Sequence, residues 1–215
     1  MTIDLANSIK TANKFGDDIQ SLVVARGNFP SDDRNTLLMG QWSLTFDLHR
    51  GTICLLHNKL YGGAFALIRP TVESVIRAHI AICGSDEDIE KLRTDQYKTN
   101  FSTVGQQIDT YFGLKGYLTA FLGRSKNWLH SFTHGGTYQL ARRYSGTDLT
   151  ANYSDADILR VIALSVDGVF MVNNIATRYL KFEEEWKRTN ELYLEWSTFV
   201  GPQIKIAMQI GKAPS

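Results

Sequence analysis

Residues 124–136 read RSKNWLHSFTHGG and gather Arg124, Asn127, His130 and His134 in one short stretch. On a single helix, Asn127, His130 and His134 project at about 300°, 240° and 280° from Arg124, within one polar sector. Phe121, Trp128 and Phe132 project near about 60°, 40° and 80°, on the other side. Imidazole gives or takes a proton near neutral pH, and a guanidinium stabilises charge developing on a phosphate. A metal-independent ribonuclease needs these parts: one histidine removes the proton of the ribose 2′-hydroxyl while an arginine holds the phosphate. The product would be a cyclic phosphate, and DNA would not be cut. Gly135 and Gly136 either end the helix or let another backbone come close, which puts His134 near a helix terminus. Just beyond, Tyr138, Arg142, Arg143 and Tyr144 combine aromatic and basic groups. They could stack on and hold single-stranded RNA, or form a solvated helix face.

A second ordered use of charge falls in the apolar stretch 62–83, where Arg69, Glu73 and Arg77 stand four residues apart. On a helix Glu73 lies about 40° from each arginine, so its carboxylate can sit between two guanidinium groups. A charge on an otherwise apolar helix must reach water, find a partner or be neutralised, and arginine keeps its proton. A structural Arg-Glu-Arg network that fixes helix register is the economical reading, with anion binding by an arginine as its competitor. Pro70 removes one backbone donor, frees the Ala66 carbonyl and could re-aim Arg69. His130 and His134, four apart, could also ligate a metal with Glu73 as third ligand. Ser131 occupies the place of the general-base Glu in H-E-x-x-H, and no repeated E-x-x-H pair is present, so no metal and no cofactor are expected. His49, His57 and His79 are isolated and read as structural or exposed. The chain lacks G-x-x-x-x-G-K, a strand-linked G-x-G-x-x-G and G-x-S-x-G, which removes support for nucleotide-loop and esterase chemistry.

These groups need elements to position them, and the periodicity is helical almost throughout. Ile9, Ala12, Phe15, Ile19, Leu22 and Val23 form one stripe of a first helix ending near Gly27. Asp32 or Asp33 caps a second helix to about Leu60, and Gly62-Gly63 permits a break before the third. Ser85 or Asp86 caps a short polar helix, and residues 100–123 carry Gly105, Gly113, Gly116 and Gly123 as breaks. Ser154 with Asp157 opens a long helix to Leu180, and a last helix from about Glu183 carries Trp186, Leu192, Trp196 and Phe199 until Pro202 bends or ends it. The expectation is an all-α, single-domain bundle of about 6–9 helices over residues 1–211, with a flexible tail at 212–215.

Lys plus Arg is 23 and Asp plus Glu is 22, so bulk charge does not suit a protein that coats nucleic acid, although a local basic groove is compatible. Cys54 and Cys83 lack metal-ligand spacing and read as buried core thiols of a reducing compartment. No secretory signal is visible, and the apolar stretch 158–179 is interrupted by Arg160, Asp167, Asn173 and Asn174, so it reads as a central helix of a cytoplasmic protein with no membrane partner.

Arg124 followed by His130 resembles the loose R-x4-6-H pattern of the HEPN superfamily, all-helical domains that include metal-independent ribonucleases of toxin, abortive-infection and CRISPR systems. A wider stretch, residues 56–143, is similar to uncharacterised bacterial HEPN-like proteins that join a helix of the type LIRPTVESVIRAHIAI to a later W-x5-HGG segment. Here those residues are Arg69, Pro70, Glu73 and Arg77, then Trp128, His134, Gly135 and Gly136. The resemblance implies a HEPN-like fold and an endoribonuclease of phage defence or a toxin pair, with RNA as substrate. His130 or His134 would then transfer protons, Arg124 hold phosphate and Asn127 assist. If His134 is the family-like histidine, Arg124 is too distant to be the motif arginine. The resemblance further implies a homodimer and a protein partner such as an antitoxin, and the apolar C-terminal helix with Trp186, Tyr193, Trp196 and Phe199 offers surface for pairing. The alternative is a non-catalytic helical ligand-binding or protein-interaction module whose Arg/Glu/His cluster is structural.

Overall fold

The computed structural model describes residues 3–113 and 115–210, with side chains described for these except at 117, 124, 125, 128 and 205–210. The expected tail at 212–215 lies outside the described residues. Nine α-helices are present among the described residues: α1 (Leu5–Val24), α2 (Asp33–His57), α3 (Tyr61–Cys83), α4 (Asp86–Arg93), α5 (Phe101–Phe112), α6 (Tyr117–Thr133), α7 (Thr137–Ala141), α8 (Asp155–Tyr179) and α9 (Glu183–Ile210). The architecture is an all-α bundle. A two-residue hairpin, β1 (Tyr144–Ser145) with β2 (Asp148–Leu149), is a small addition that the helical periodicity does not announce, turned at Gly146 with φ +63°.

Local chemistry sets most of the boundaries. The Asp32 side chain accepts from the Asn35 N–H and opens α2, while Ser85 with Asp88 and Ser154 with Asp157 form reciprocal capping boxes on α4 and α8. The α2–α3 break falls at residues 58–60, with Lys59 at φ +59°, and Gly62 and Gly63 lie inside α3. They serve close packing instead: a Cβ at Gly62 would collide with the Arg143 guanidinium, and one at Gly63 would stand 3.2 Å from Leu55. Gly105 likewise lies inside α5, where a Cβ would meet the Thr119 backbone at 2.9 Å, and Gly123 lies inside α6. α9 continues through Pro202; Thr198 and Pro202 are both exposed, so the carbonyl that proline leaves without a donor can face water.

α8 sits at the centre, packed on α1, α2, α3 and α9, while α6 lies on α3 and α5. Among the described residues it is the helix long and apolar enough to cross a membrane, and here it is mostly buried within the bundle. Of its polar interruptions Arg160 is exposed and the others are paired inside: Asp167 accepts from the Tyr193 hydroxyl, Asn174 accepts from Trp186 Nε1, and Asn173 accepts from Trp42 Nε1 at 2.9 Å and donates to Thr189 at 2.8 Å, tying α2, α8 and α9 together. α3 and α8 approach so closely at Gly168 that a Cβ there would lie 2.6 Å from Thr71. Trp196 is buried against Phe15 of α1, so much of the aromatic surface of α9 is spent inside the chain, with Phe199 left 37% exposed. Cys54 corrects the expectation of two buried thiols: it is exposed, off the face of α2 that carries Ile53 and Leu56. Cys83 is half-buried, which pushes its thiol up to about 11.

Two histidines belong to the core. His49 bonds the Ser165 hydroxyl at 2.8 Å and the Ala12 carbonyl at 3.2 Å, His79 bonds the Val75 carbonyl at 2.8 Å, and burial pushes both down to about 4. The unfolded chain takes up these protons near pH 6.5, whereas the folded protein resists until about pH 4. Their contribution to stability is therefore present above pH 6.5 and lost as pH falls towards 4, by ~3 kcal/mol per histidine. Urea unfolding from pH 7 to 4 should show that decline, with a smaller decline in His79→Phe. At neutral pH, Gly168→Ala should cost about 1–3 kcal/mol by overpacking, whereas Gly40→Ala, in open space on α2, should stabilise by about 0.5–1 kcal/mol.

Candidate functional site

The aromatic contact between α3 and α6 sets the site. Phe65 and Phe132 are buried with ring centroids 4.7 Å apart, and Tyr153 joins Phe65 at 4.9 Å. One turn beyond Phe65 stands Arg69, and His130 and His134 flank Phe132 in sequence, so this contact brings guanidinium and imidazoles to the same place. Arg69 Nη1 lies 2.9 Å from His130 Nδ1 and 3.3 Å from His134 Nε2, and Arg69 Nε donates to Glu73 at 2.8 Å. The two imidazole centroids are 4.6 Å apart. Arginine can only donate, so in these contacts His130 Nδ1 and His134 Nε2 take the acceptor role.

The end of α6 is held by three local devices. His134 is the C-cap residue, Gly135 takes φ +65°, and the Gly136 N–H donates to the Ser131 carbonyl at 2.7 Å, the long bond of a Schellman turn. Gly136 opens α7 without a side chain to cap it, and the buried Ser131 hydroxyl accepts the Tyr138 N–H at 2.9 Å in its place. At the other end of α6, Asp109 of α5 accepts from the N–H groups of Leu118 and Thr119 and from the Thr119 hydroxyl. Burial raises the Asp109 carboxyl, but these hydrogen bonds outweigh it and hold the group below its ordinary range.

Beside this cluster opens a polar cleft of about 440 Å³ lined by Arg69, Lys126, Asn127 and His130 and walled by residues 99–101. Among the described residues its lining holds two cations and no carboxylate, and the Thr99 hydroxyl is buried without a partner. Of the site residues expected from sequence, Arg69, Glu73, His130 and His134 are in direct contact and Asn127 shares the cleft. Arg77 does not join: its guanidinium reaches Asp95 at 3.5 Å, so Glu73 sits with Arg69 and not between two arginines. The side chains of Arg124 and Trp128 lie outside the described residues. Arg142 is half-buried and ion-paired with Asp157 in the α8 capping box at 2.9 Å, while Tyr138 and Arg143 are exposed. Lys126 and the Thr99-Asn100 wall are additions; Lys126 adjoins the polar stripe, and Asn100 precedes a helix start, but neither feature alone marks a cleft. Among the described residues no group of three or more His, Cys, Asp or Glu is placed to hold a metal ion.

The chain matches, over residues 42–199, the model of a family described as a family of unknown function, DUF6988. That match takes in α3, α6 and α8 and most of α2 and α9, so the chain belongs to this family. No curated protein and no solved structure matches it.

Arg69 and Glu73 each keep roughly a quarter of their side-chain surface in water, which screens the pair. Glu73→Gln should therefore cost only about 0.5–1 kcal/mol in urea unfolding and leave the helix content intact. A loss above about 3 kcal/mol would show instead that the remaining charge is effectively buried.

Proposed function

We propose that this protein is a HEPN-like, metal-independent endoribonuclease of the cytoplasm, with His130 and His134 as proton-transfer residues and Arg69 as the phosphate holder. The observation that carries this reading is the approach of two imidazoles, His130 and His134, to the same Arg69 Nη1 beside a cleft lined by no carboxylate among the described residues. A bound phosphate competes for the guanidinium and frees the lone pair of His130 Nδ1 or His134 Nε2, which can then take the ribose 2′-hydroxyl proton. Lys126 and Asn127 offer further donors to the phosphate, and exposed Tyr138 and Arg143 lie on the segment following α6 where a strand of RNA can stack and pair. A role in phage defence or in a toxin pair, acting as a homodimer restrained by an antitoxin, accords with this chemistry.

The competing reading, a non-catalytic ligand-binding or interaction module, draws on the Glu73 contact, which braces Arg69 as a structural pair would. Incubation of purified protein with mixed RNA and with DNA in chelator separates the two. The expected result is RNA cleavage leaving cyclic phosphate ends, intact DNA, and a loss of about 10²-fold or more in His130→Ala, His134→Ala and Arg69→Met. Equal cleavage by all four proteins would assign the activity to contamination, and no cleavage by any would favour the interaction module.

A further inference from the structure

A larger groove of about 770 Å³ lies between α1 and the C-terminal half of α2, and Arg69, His130 and His134 do not line it. Its floor is aliphatic: Ile53, Leu56 and Ile158 are 5%, 1% and 2% exposed, and Leu5 and Ile9 of α1 form the facing wall. The rim carries the cations Lys10, Arg50 and Lys59 beside His57, and among the described residues no carboxylate lines it. Arg50 is engaged with Asp17 and Gln20, but Lys10 and Lys59 have no ion-pair partner among the described residues. We propose that this groove binds a single-chain amphiphile with an anionic head, of the class of a medium-chain fatty carboxylate.

Three features select that occupant. Charge complementarity sets the head, because Lys10 and Lys59, with no ion-pair partner among the described residues, attract an anion and repel a cationic amphiphile. The lining sets the tail: half-buried Leu5, Ile9 and Tyr61 leave apolar surface along the groove, above the buried Ile53, Leu56 and Ile158, that a methylene chain can cover. Length sets its size. The α1 wall from Leu5 to Asn13 spans about 12 Å, and an extended chain covers that distance with about ten bonds. The volume is also within the range of small-molecule sites, which are mostly apolar with a few polar groups that orient the ligand.

Cys54 gives the test a local reporter, since it is exposed and lines the groove, whereas half-buried Cys83 lies elsewhere with a thiol pushed up to about 11. Dodecanoate below its micelle concentration should slow alkylation of Cys54 by iodoacetamide about fivefold or more and leave Cys83 unchanged. Acetate and dodecyltrimethylammonium should not protect. Calorimetric titration with dodecanoate should give one site per chain, weakened about tenfold in the doubly substituted Lys10→Glu, Lys59→Glu protein, whose melting temperature should stay near that of the parent. Equal protection by the cationic amphiphile, unchanged affinity in the lysine variant, or no calorimetric binding would each overturn the proposal. Sedimentation with phosphatidylglycerol vesicles in the absence of dodecanoate binding would also overturn it, by assigning the face to a membrane surface.

Discussion

The burial of α3 is the constraint on which the site depends. The helix packs against α2, α8 and α6, and its buried side runs from Gly62 and Phe65 through Ile68, Val75 and Ile76 to Ala81. What remains is a half-buried strip, and Arg69, Glu73 and Arg77 stand on it. An arginine there keeps its charge, so acceptors have to come to it. Arg69 obtains one from its own helix and two from α6, and Arg77 turns towards Asp95 in the α4–α5 connection. The placement of α6 is thus tied both to the Phe65–Phe132 contact and to the demands of a guanidinium.

The same polar sector of α6 that the sequence marks as reactive is therefore the one that satisfies α3. Rigidity at this point comes from both ends of α6, through Asp109 at its start and the Schellman turn and Ser131 at its finish. Arg142 extends that frame by joining the segment after α7 to the capping box of α8. A basic residue beside a polar stripe can in this way be structural, and its neighbour Arg143, exposed and set against Gly62, is the one left to meet solvent or a ligand.

Helix identities and starts were legible because their causes are local. Asp32, Ser85 and Ser154 act on N–H groups three residues away, and an apolar stripe at three- and four-residue steps needs no knowledge of its partner. Gly62 and Gly63 misled for the opposite reason, since their smallness answers Arg143 and Leu55 across a tertiary contact and not a change of chain direction. Charge on an apolar helix needs partners, and Arg69 meets that need through Glu73, His130 and His134. The arginine that meets His130 nevertheless stands 61 residues away in sequence, and the local spacing of Arg124 and His130 carries no trace of it. Arg77 parted from Glu73 because Asp95 reaches it from a turn at φ +54°, which periodicity does not describe.

Charge within the cleft divides unevenly. Glu73 takes the Nε hydrogen of Arg69 and the imidazoles share Nη1, while Nη2 has no hydrogen bond to a described residue. Arg69 and Glu73 cancel in net charge, and among the described residues that line the cleft Lys126 is a cation without an ion-pair partner. Lysine is a flexible point charge and arginine a planar fork. On the proposed ribonuclease reading, Lys126 would draw in the anionic phosphate and Arg69, already held between the helices, would orient it.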